Sequence, residues 1–539
     1  MTNAAAARPS YRAAFETPSF PFGRSRSRTS QWMLASAAAL LLWSSFTMHA
    51  GTWNLPGNGT WNAAANWNPA SIPGGVGATA IFNGAATGSN PAQTANRTVT
   101  LDGPRTVGSI MFNNDLSTFT DSLTTGASGS LTFDEAGAGP ATITVPAAGG
   151  TGNNTISVAI TLNDSLVATV NNTTASSSAG ALALAATMSG PGGFTKLGDG
   201  LASLTTNAKT YGGATVLSGG RLRVSSAAQP SATSSFTINP GGQLTAISAA
   251  SYTFGSGPLN LNGAGPTTGP FAGFPGALRN DTNLGVTNNN AVVLQSDTLI
   301  HVQGSASGVI ALPNTVSGPG KLTLTSQSHD ANLGILLLNG ANTYSGGTIV
   351  DGGTLVVSGA GATLGTGNVT VHSANLSFSG SSAKLMIQAG VVNAIADTAV
   401  LSLAGGNILA TPDDGCVDLG AGVNEVVGVL LLGGVAQQPG TYGSTSSAAT
   451  FKSNEFFSGT GTITVPPPPV LPPPVLKIAL NPPKVVVSWP TNAAGFVLQG
   501  VNTLTGAWAS NTTAVVVSGT NNTVTEGATN ANKFFRLKR

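Results

Sequence analysis

Beyond residue 50 the chain reads as short runs of alternating apolar and polar residues, separated by turns rich in glycine, asparagine and serine. Thr98-Val99-Thr100-Leu101, Leu131-Thr132-Phe133, Ile143-Thr144-Val145 and Ile156 to Ile160 each send every second side chain to one side, the period of a half-buried β-strand. Val107, Ile110 and Phe112 continue the series after an Asp102-Gly103 turn. Asn153-Asn154, Asn171-Asn172 and Asn288 to Asn290 fit turns, where asparagine takes left-handed backbone or stacks in side-chain ladders. After residue 50 no amphipathic helical period stands out, so the prediction is all-β.

One kernel recurs. Thr343-Tyr-Ser-Gly-Gly-Thr-Ile-Val-Asp-Gly-Gly-Thr-Leu-Val-Val357 aligns without a gap on Thr210-Tyr-Gly-Gly-Ala-Thr-Val-Leu-Ser-Gly-Gly-Arg-Leu-Arg-Val224, and a Ser-Gly-Pro-Gly precedes each copy, at 189–192 and 317–320. Two β-prone runs flank a Gly-Gly pair whose missing Cβ allows a sharp corner. Strand, corner, strand is one side of a solenoid coil, and a coil buries its apolar face only by stacking on the next. The expectation is a right-handed parallel β-helix, or β-solenoid. Gly219-Gly220 and Gly352-Gly353 should occupy equivalent corners, with Leu222, Val224, Leu355 and Val357 inside. Fainter echoes lie at Phe236 to Leu244, which keeps the glycine corner, and at Asn368 to Phe378, which keeps only the alternation.

The kernel resembles the autotransporter-associated β-strand repeat family, also called passenger-associated transport repeats. The family motif runs Gly-x-Leu-x-Lys-x-Gly, Thr-Leu, then Thr-Tyr-x-Gly-x-Thr-x-x-x-Gly-Gly-x-Leu. Gly193-Phe194-Thr195-Lys196-Leu197-Gly198 through Val224 follow it nearly throughout, whereas the second copy shifts the lysine to Lys321 and carries an insertion at 326–332. The resemblance implies an exported parallel β-helix and no particular activity.

Composition narrows the picture. Charged residues make up 7% of the chain and hydrophobic ones 41%, which with the alternation favours packed β-structure over disorder. Arg8, Arg12, Arg24, Arg26 and Arg28 against Glu16 precede residue 31, and the remainder holds 16 basic and 18 acidic residues. No basic stripe is left for nucleic acid. The uncharged run from Gln31 to Ala50, with its apolar heart at Met33 to Leu42, reads as a secretory signal over 1–50 cleaved near Ala50-Gly51, with an uncleaved signal anchor as the alternative. Either way the rest is exported, to the cell surface or beyond, and membrane contact is confined to that segment. Cys416 is the sole cysteine, so no internal disulfide forms, and a buried thiol is expected.

The ends are distinct. Trp53, Trp61 and Trp67 fall within residues 51–80, as a hydrophobic cap on the first coil or as a sugar-stacking platform. The solenoid would span 81–465, and 51–465 at ~22 residues per coil gives about 19 coils and about 90 Å. Leu432 to Gly443 and Phe456 to Val465 resemble the segments that close such repeat regions. A proline-rich linker at 466–474 favours an extended spacer, and 475–539 reads as about five strands of a small β-sandwich-like domain filled by Trp489, Trp508 and the Phe534-Phe535 pair. These ~65 residues are too few for a membrane barrel of many ~10-residue strands, so self-transport is not expected.

Chemistry is sparse. Asp413-Asp414, with Asp418 and Glu425 nearby, is the sharpest candidate for acid/base hydrolysis. Neighbouring strand residues point to opposite faces, however, and Asp414-Gly415 is an ordinary turn pair. The Asn-Thr-Asp, His-Gly and Arg-Ile-Lys of polygalacturonase-like β-helices are missing. Gly198-Asp199-Gly200 is a single turn where calcium-binding nonapeptides need tandem copies. His301, His329 and His372 stand apart, without metal-ligand spacing. Lys196, Tyr211 and Tyr344 belong to the repeat and read as structural. No catalytic, cofactor-binding or metal residue is assigned. The expectation is a non-enzymatic exported stalk or adhesin-like protein, with extracellular polysaccharide or cell-surface glycan as partner. A carbohydrate-binding or carbohydrate-active β-helix and a pure scaffold are the alternatives.

Overall fold

The computed structural model describes residues 49–113, 118–147, 151–174, 181–280, 285–304, 308–327, 333–377, 380–406, 413–468, 473–529 and 532–539. The signal segment through residue 48, His329, Pro412 and the prolines 469 and 472 lie outside them.

Alternation becomes three faces of a parallel β-solenoid. The first face stacks, in register, Ala50–Trp53, Thr79–Asn83, Ser109–Asn113, Ala141–Val145, Leu166–Val170, Phe194–Leu197, Thr215–Leu217, Phe236–Ile238, Leu259–Gly263, then Val292 to Leu294 and Val316–Ser317. The second face runs from Gly59–Thr60 and Arg97–Leu101 through Gly220–Val224, Gly242–Ala246, Leu278–Asn280 and Leu322–Ser326 to Val429–Leu432. The third carries Pro104–Val107 to Met188–Ser189, and later Ala250–Tyr252 to Phe457–Gly459. Among the described residues fifteen strands stack on the second face, about 70 Å at ~4.8 Å per rung. That is fewer coils than the expected 19, because loops such as 264–277 lengthen several coils without adding rungs.

Inward positions form one continuous apolar core. Leu222, Val224, Leu355 and Val357 are all fully buried, as the kernel predicts. The corners differ from expectation. The rung of Thr215 continues through Phe236, Leu259 and Val292 to Val316, whereas Thr348, its counterpart in the second copy, pairs with Leu322 on the second face. Gly219-Gly220 therefore turns from the first face to the second, and Gly352-Gly353 from the second to the third, leading into Gly353–Val357. The two copies are rotated by one face. Gly220 and Gly353 sit at φ +58° and +78°, in the left-handed region that favours glycine.

Both ends of the solenoid carry antiparallel pairs that cover free strand edges. Trp67–Asn68 lies against Ala50–Trp53, Val435–Ala436 against Val429–Leu432, and Gly440–Gly443 against Thr462–Val465. Among its described residues the C-terminal module has seven strands rather than five: a four-stranded antiparallel sheet and a three-stranded one. Val487, Trp489, Leu498 and Val524 form its core. Trp508 is not part of it, since Arg536 lies over its ring at 4.4 Å. No helix among the described residues is long and apolar enough to cross a membrane.

Candidate functional site

The three tryptophans converge. Each is at most 1% exposed, and the Trp61–Trp67 and Trp53–Trp67 centroids lie 4.9 and 5.1 Å apart, edge to face. Phe82 packs against all three and stacks on Phe112 of the next coil at 5.5 Å. Every indole N–H donates to a carbonyl, Trp53 to Gly57, Trp61 to Pro73 and Trp67 to Trp61. A buried indole presents no face to a sugar ring, so the cluster fills the first coil and forms no stacking platform.

In the kernel, polar side chains tie coils together. The hydroxyls of Tyr211 and Tyr344, both fully buried, meet Thr215 and Thr348 at 2.8 and 2.7 Å. Burial raises both phenols. Thr215 also meets Thr233 of the adjacent coil at 2.9 Å. The Lys196 ammonium, fully buried, donates to the carbonyls of Gly198, of Gly200 at 2.6 Å and of Gly219 at 2.8 Å, joining two successive corners. Lys209 does the same for Ala186 (2.7 Å), Thr205 (3.2 Å) and Asn207 (2.5 Å). Burial lowers Lys196 to about 7, with Asp199 pulling it upward, and Lys209 to about 8. Asp199 accepts a hydrogen bond from Thr268 at 3.1 Å.

The carboxylates hold backbone. Asp414, 3% exposed, accepts the amides of Ala374 (2.9 Å) and Ala383 (3.1 Å). Burial raises its carboxyl, those amides lower it, and Asp413 raises it further. Glu425, 1% exposed, accepts the amides of Ala394 and Ile395 at 3.0 and 2.9 Å. Asp418 points outward on the third face, in the row of Met386 and Ser458. The Cys416 thiol is buried and pushed up to about 12, chiefly by burial. His301 meets Thr325 at 3.0 Å, and burial together with Arg279 and Arg221 lowers it to about 3, so its ring is neutral. His372 meets Asp351 at 2.5 Å. Among the described residues no three His, Cys, Asp or Glu side chains gather as a metal site.

Sequence reasoning missed three features. Arg97 and Asp121 form a buried two-pronged ion pair, Nε–Oδ1 2.6 Å and Nη2–Oδ2 2.9 Å, with Arg97 also donating to the Asn83 carbonyl. Residues 264–277 fold over the outside of the second face, where Arg221 lies 4.3 Å from the Phe271 ring and Gln243 donates to the carbonyls of Phe274, Pro275 and Gly276. The C-terminal module has an open polar hollow of about 510 Å³ lined by Asn502, Ser510, Thr512, Glu526 and Lys533, among others. Burial alone would raise Glu526; its bonds to Lys533 and Asn511 hold it below the usual carboxylate range. Pairing partners 24 residues apart, a roof from an insertion and a hollow between two sheets all depend on tertiary register, for which local pattern carries no signal.

With this geometry in hand, a family model, the passenger-associated-transport-repeat, matches residues 194–224 and 331–357. The chain carries passenger-associated-transport-repeats. The first match takes in Lys196, Tyr211 and the Gly219-Gly220 corner, and the second Tyr344 and Gly352-Gly353. The two matches cover part of the β-solenoid, whose parallel coils are the architecture in which these repeats sit. No curated protein and no solved structure matches the chain.

Proposed function

We propose that this chain is a non-enzymatic, adhesin-like stalk at the cell surface or outside the cell, contacting neutral glycan. The observation that carries the reading is the second-face ladder, continuous from Gly59–Thr60 to Val429–Leu432. Fifteen hydrogen-bonded rungs make a stiff rod of about 70 Å. Further support comes from Asp414 and Glu425. Hydrolysis of a glycosidic bond needs two carboxyl groups about 5–9.5 Å apart across a cleft, and these two hold backbone amides instead.

The test is fractionation of the producing cell together with a polysaccharide assay on the purified protein. The expected result is protein in the surface or extracellular fraction, retention on glycan-coated supports and no release of reducing ends. Hydrolysis abolished by Asp413→Asn with Asp414→Asn would overturn the non-enzymatic reading. Recovery only from the cytoplasm would overturn the surface reading.

A further inference from the structure

The outward side of the first face carries a longer uncharged row than either of the other two, whose rows Thr98 to Ser203 and Thr106 to Ser189 run over five and four rungs. One row runs Thr79, Ser109, Thr142, Val167, Thr195, Val216, Thr237, Asn260, Val293, Ser317, each residue paired in register with the next. All ten are half-buried, so the row lies open along its length. Beside it stand Ile81, Met111, Thr144, Thr169 and Leu197. Not one of these side chains is charged. The corresponding row on the second face contains Arg223 and Arg279, and part of that face is roofed by 264–277. The third face carries Asp418.

We propose that this strip is a docking surface for one extended, uncharged polysaccharide chain lying along the solenoid axis. The proposal rests on the adhesin-like reading and names its surface and ligand class. Ten rungs at ~4.8 Å give about 43 Å of length, and the two outward positions of a strand are about 7 Å apart. The resulting area, about 300 Å², is well below the ~800 Å² per partner of a stable protein interface, which argues against a second copy of this chain. The row also lacks the aromatic and arginine anchors on which protein interfaces depend. A long narrow strip fits a single sugar chain instead. Its threonine and serine hydroxyls offer hydrogen bonds, and its methyl groups meet the C–H faces of the rings. Rung-to-rung contacts fix several of these polar groups, as between Thr79 and Ser109 at 3.4 Å and from Asn260 to Thr237 at 3.3 Å. An anionic glycan gains nothing from a row without cations. Each sugar unit is held weakly, so binding accumulates over many rungs and selects polymer over oligomer.

The experiment is co-sedimentation of the full-length protein with insoluble cellulose, chitin and β-1,3-glucan, competed by soluble oligosaccharides of two to six units. The wild type should sediment with at least one of these polymers, and short oligosaccharides should not displace it. Thr142→Lys, Thr195→Lys and Thr237→Lys together place long hydrated side chains on the strip and should cut binding at least tenfold. Thr132→Lys with Thr161→Lys on the third face should change it less than twofold. Thermal melting checks that the variants are folded, and Thr195→Lys alone, expected to weaken binding about threefold, serves if the triple variant is not. Undiminished sedimentation of the folded first-face variants overturns the strip and leaves the adhesin-like reading standing on another surface, such as the hollow beside Glu526. Absence of wild-type binding to all three polymers overturns the strip as well. Only the further absence of retention on any glycan-coated support counts against the adhesin-like reading itself.

Discussion

Replacing Lys196 by methionine tests whether the repeat's lysine is a mechanical part of the solenoid. The side chain keeps its length and loses three donated hydrogen bonds, to the carbonyls of Gly198, Gly200 and Gly219. Hydrogen bonds from a charged donor contribute about 1.5–3 kcal/mol each, and a buried carbonyl left without a partner costs about 1–3 kcal/mol. Two offsets apply. Gly198 is half-buried, whereas Gly200 and Gly219 are buried, so only the Gly198 carbonyl can turn to water, and methionine removes the penalty of burying an ammonium. The net cost at this corner is then about 2–4 kcal/mol. A long repeat array does not unfold in one step, so a global midpoint would dilute the effect. Amide hydrogen exchange reads the corner directly. The amides of Gly200, Ser218 and Arg221 bond to the coil before them, at Val170, Lys196 and Gly200. They should exchange about 30- to 1000-fold faster in the variant, at a factor of ten per ~1.4 kcal/mol, while Thr98 to Leu101 stay unchanged. Exchange within threefold of wild type at those three amides would refute the idea that the ammonium holds the corner.

Three further outcomes are expected. Lys196 and Lys209 are lowered to about 7 and about 8 in the folded chain but titrate near ~10.4 when unfolded. The unfolded state therefore binds more protons between pH 7 and 10, and resistance to denaturant should rise with pH across that window. A double variant, Lys196→Met with Lys209→Met, should flatten the rise, and an equal slope in both proteins would contradict the assignment. Asp121→Ala leaves Arg97 buried without its partner and should cost about 3–5 kcal/mol, read as early loss of the Arg97–Leu101 region in thermal proteolysis. A loss below ~1 kcal/mol would mean that the pair is not buried in solution. Cys416, fully buried and pushed up to about 12, should resist thiol reagents in the native protein and react stoichiometrically in denaturant; rapid native labelling would contradict its burial.

The sequence carries some levels of this fold plainly and others not at all. Leu222 and Val224 alternate with arginines, and their inward placement follows from the period of two. Gly219-Gly220 marks a corner for a local steric reason, and that too is legible. Which corner it turns is not, because the face on which a strand lands depends on the summed lengths of all preceding turns. The second copy lies a whole face round from the first while its motif stays intact. Trp53, Trp61 and Trp67 illustrate a different ambiguity. Indoles clustered in sequence serve equally for capping or for stacking, and only the three carbonyl partners and the contact with Phe82 decide between them. Asp413 and Asp414 show how adjacency misleads. Asp414 reaches across 31 and 40 residues to Ala383 and Ala374, partners that no local pattern names. The uncharged strip was half visible, since the low charge of the chain is a matter of composition, but its unbroken run over ten rungs of the first face requires the register.

The central claim, a stiff parallel stack with one rung per coil, is tested most directly by a single distance. Spin labels at Thr155→Cys and Ser402→Cys, in a Cys416→Ala background, sit on outward positions of the second face. Ten rungs separate their strands, so pulsed electron paramagnetic resonance should return one narrow distribution centred at about 50 Å. A centre beyond ~60 Å, or a distribution spread over tens of ångströms, would contradict both the coil count and the rigidity on which the proposed stalk role depends.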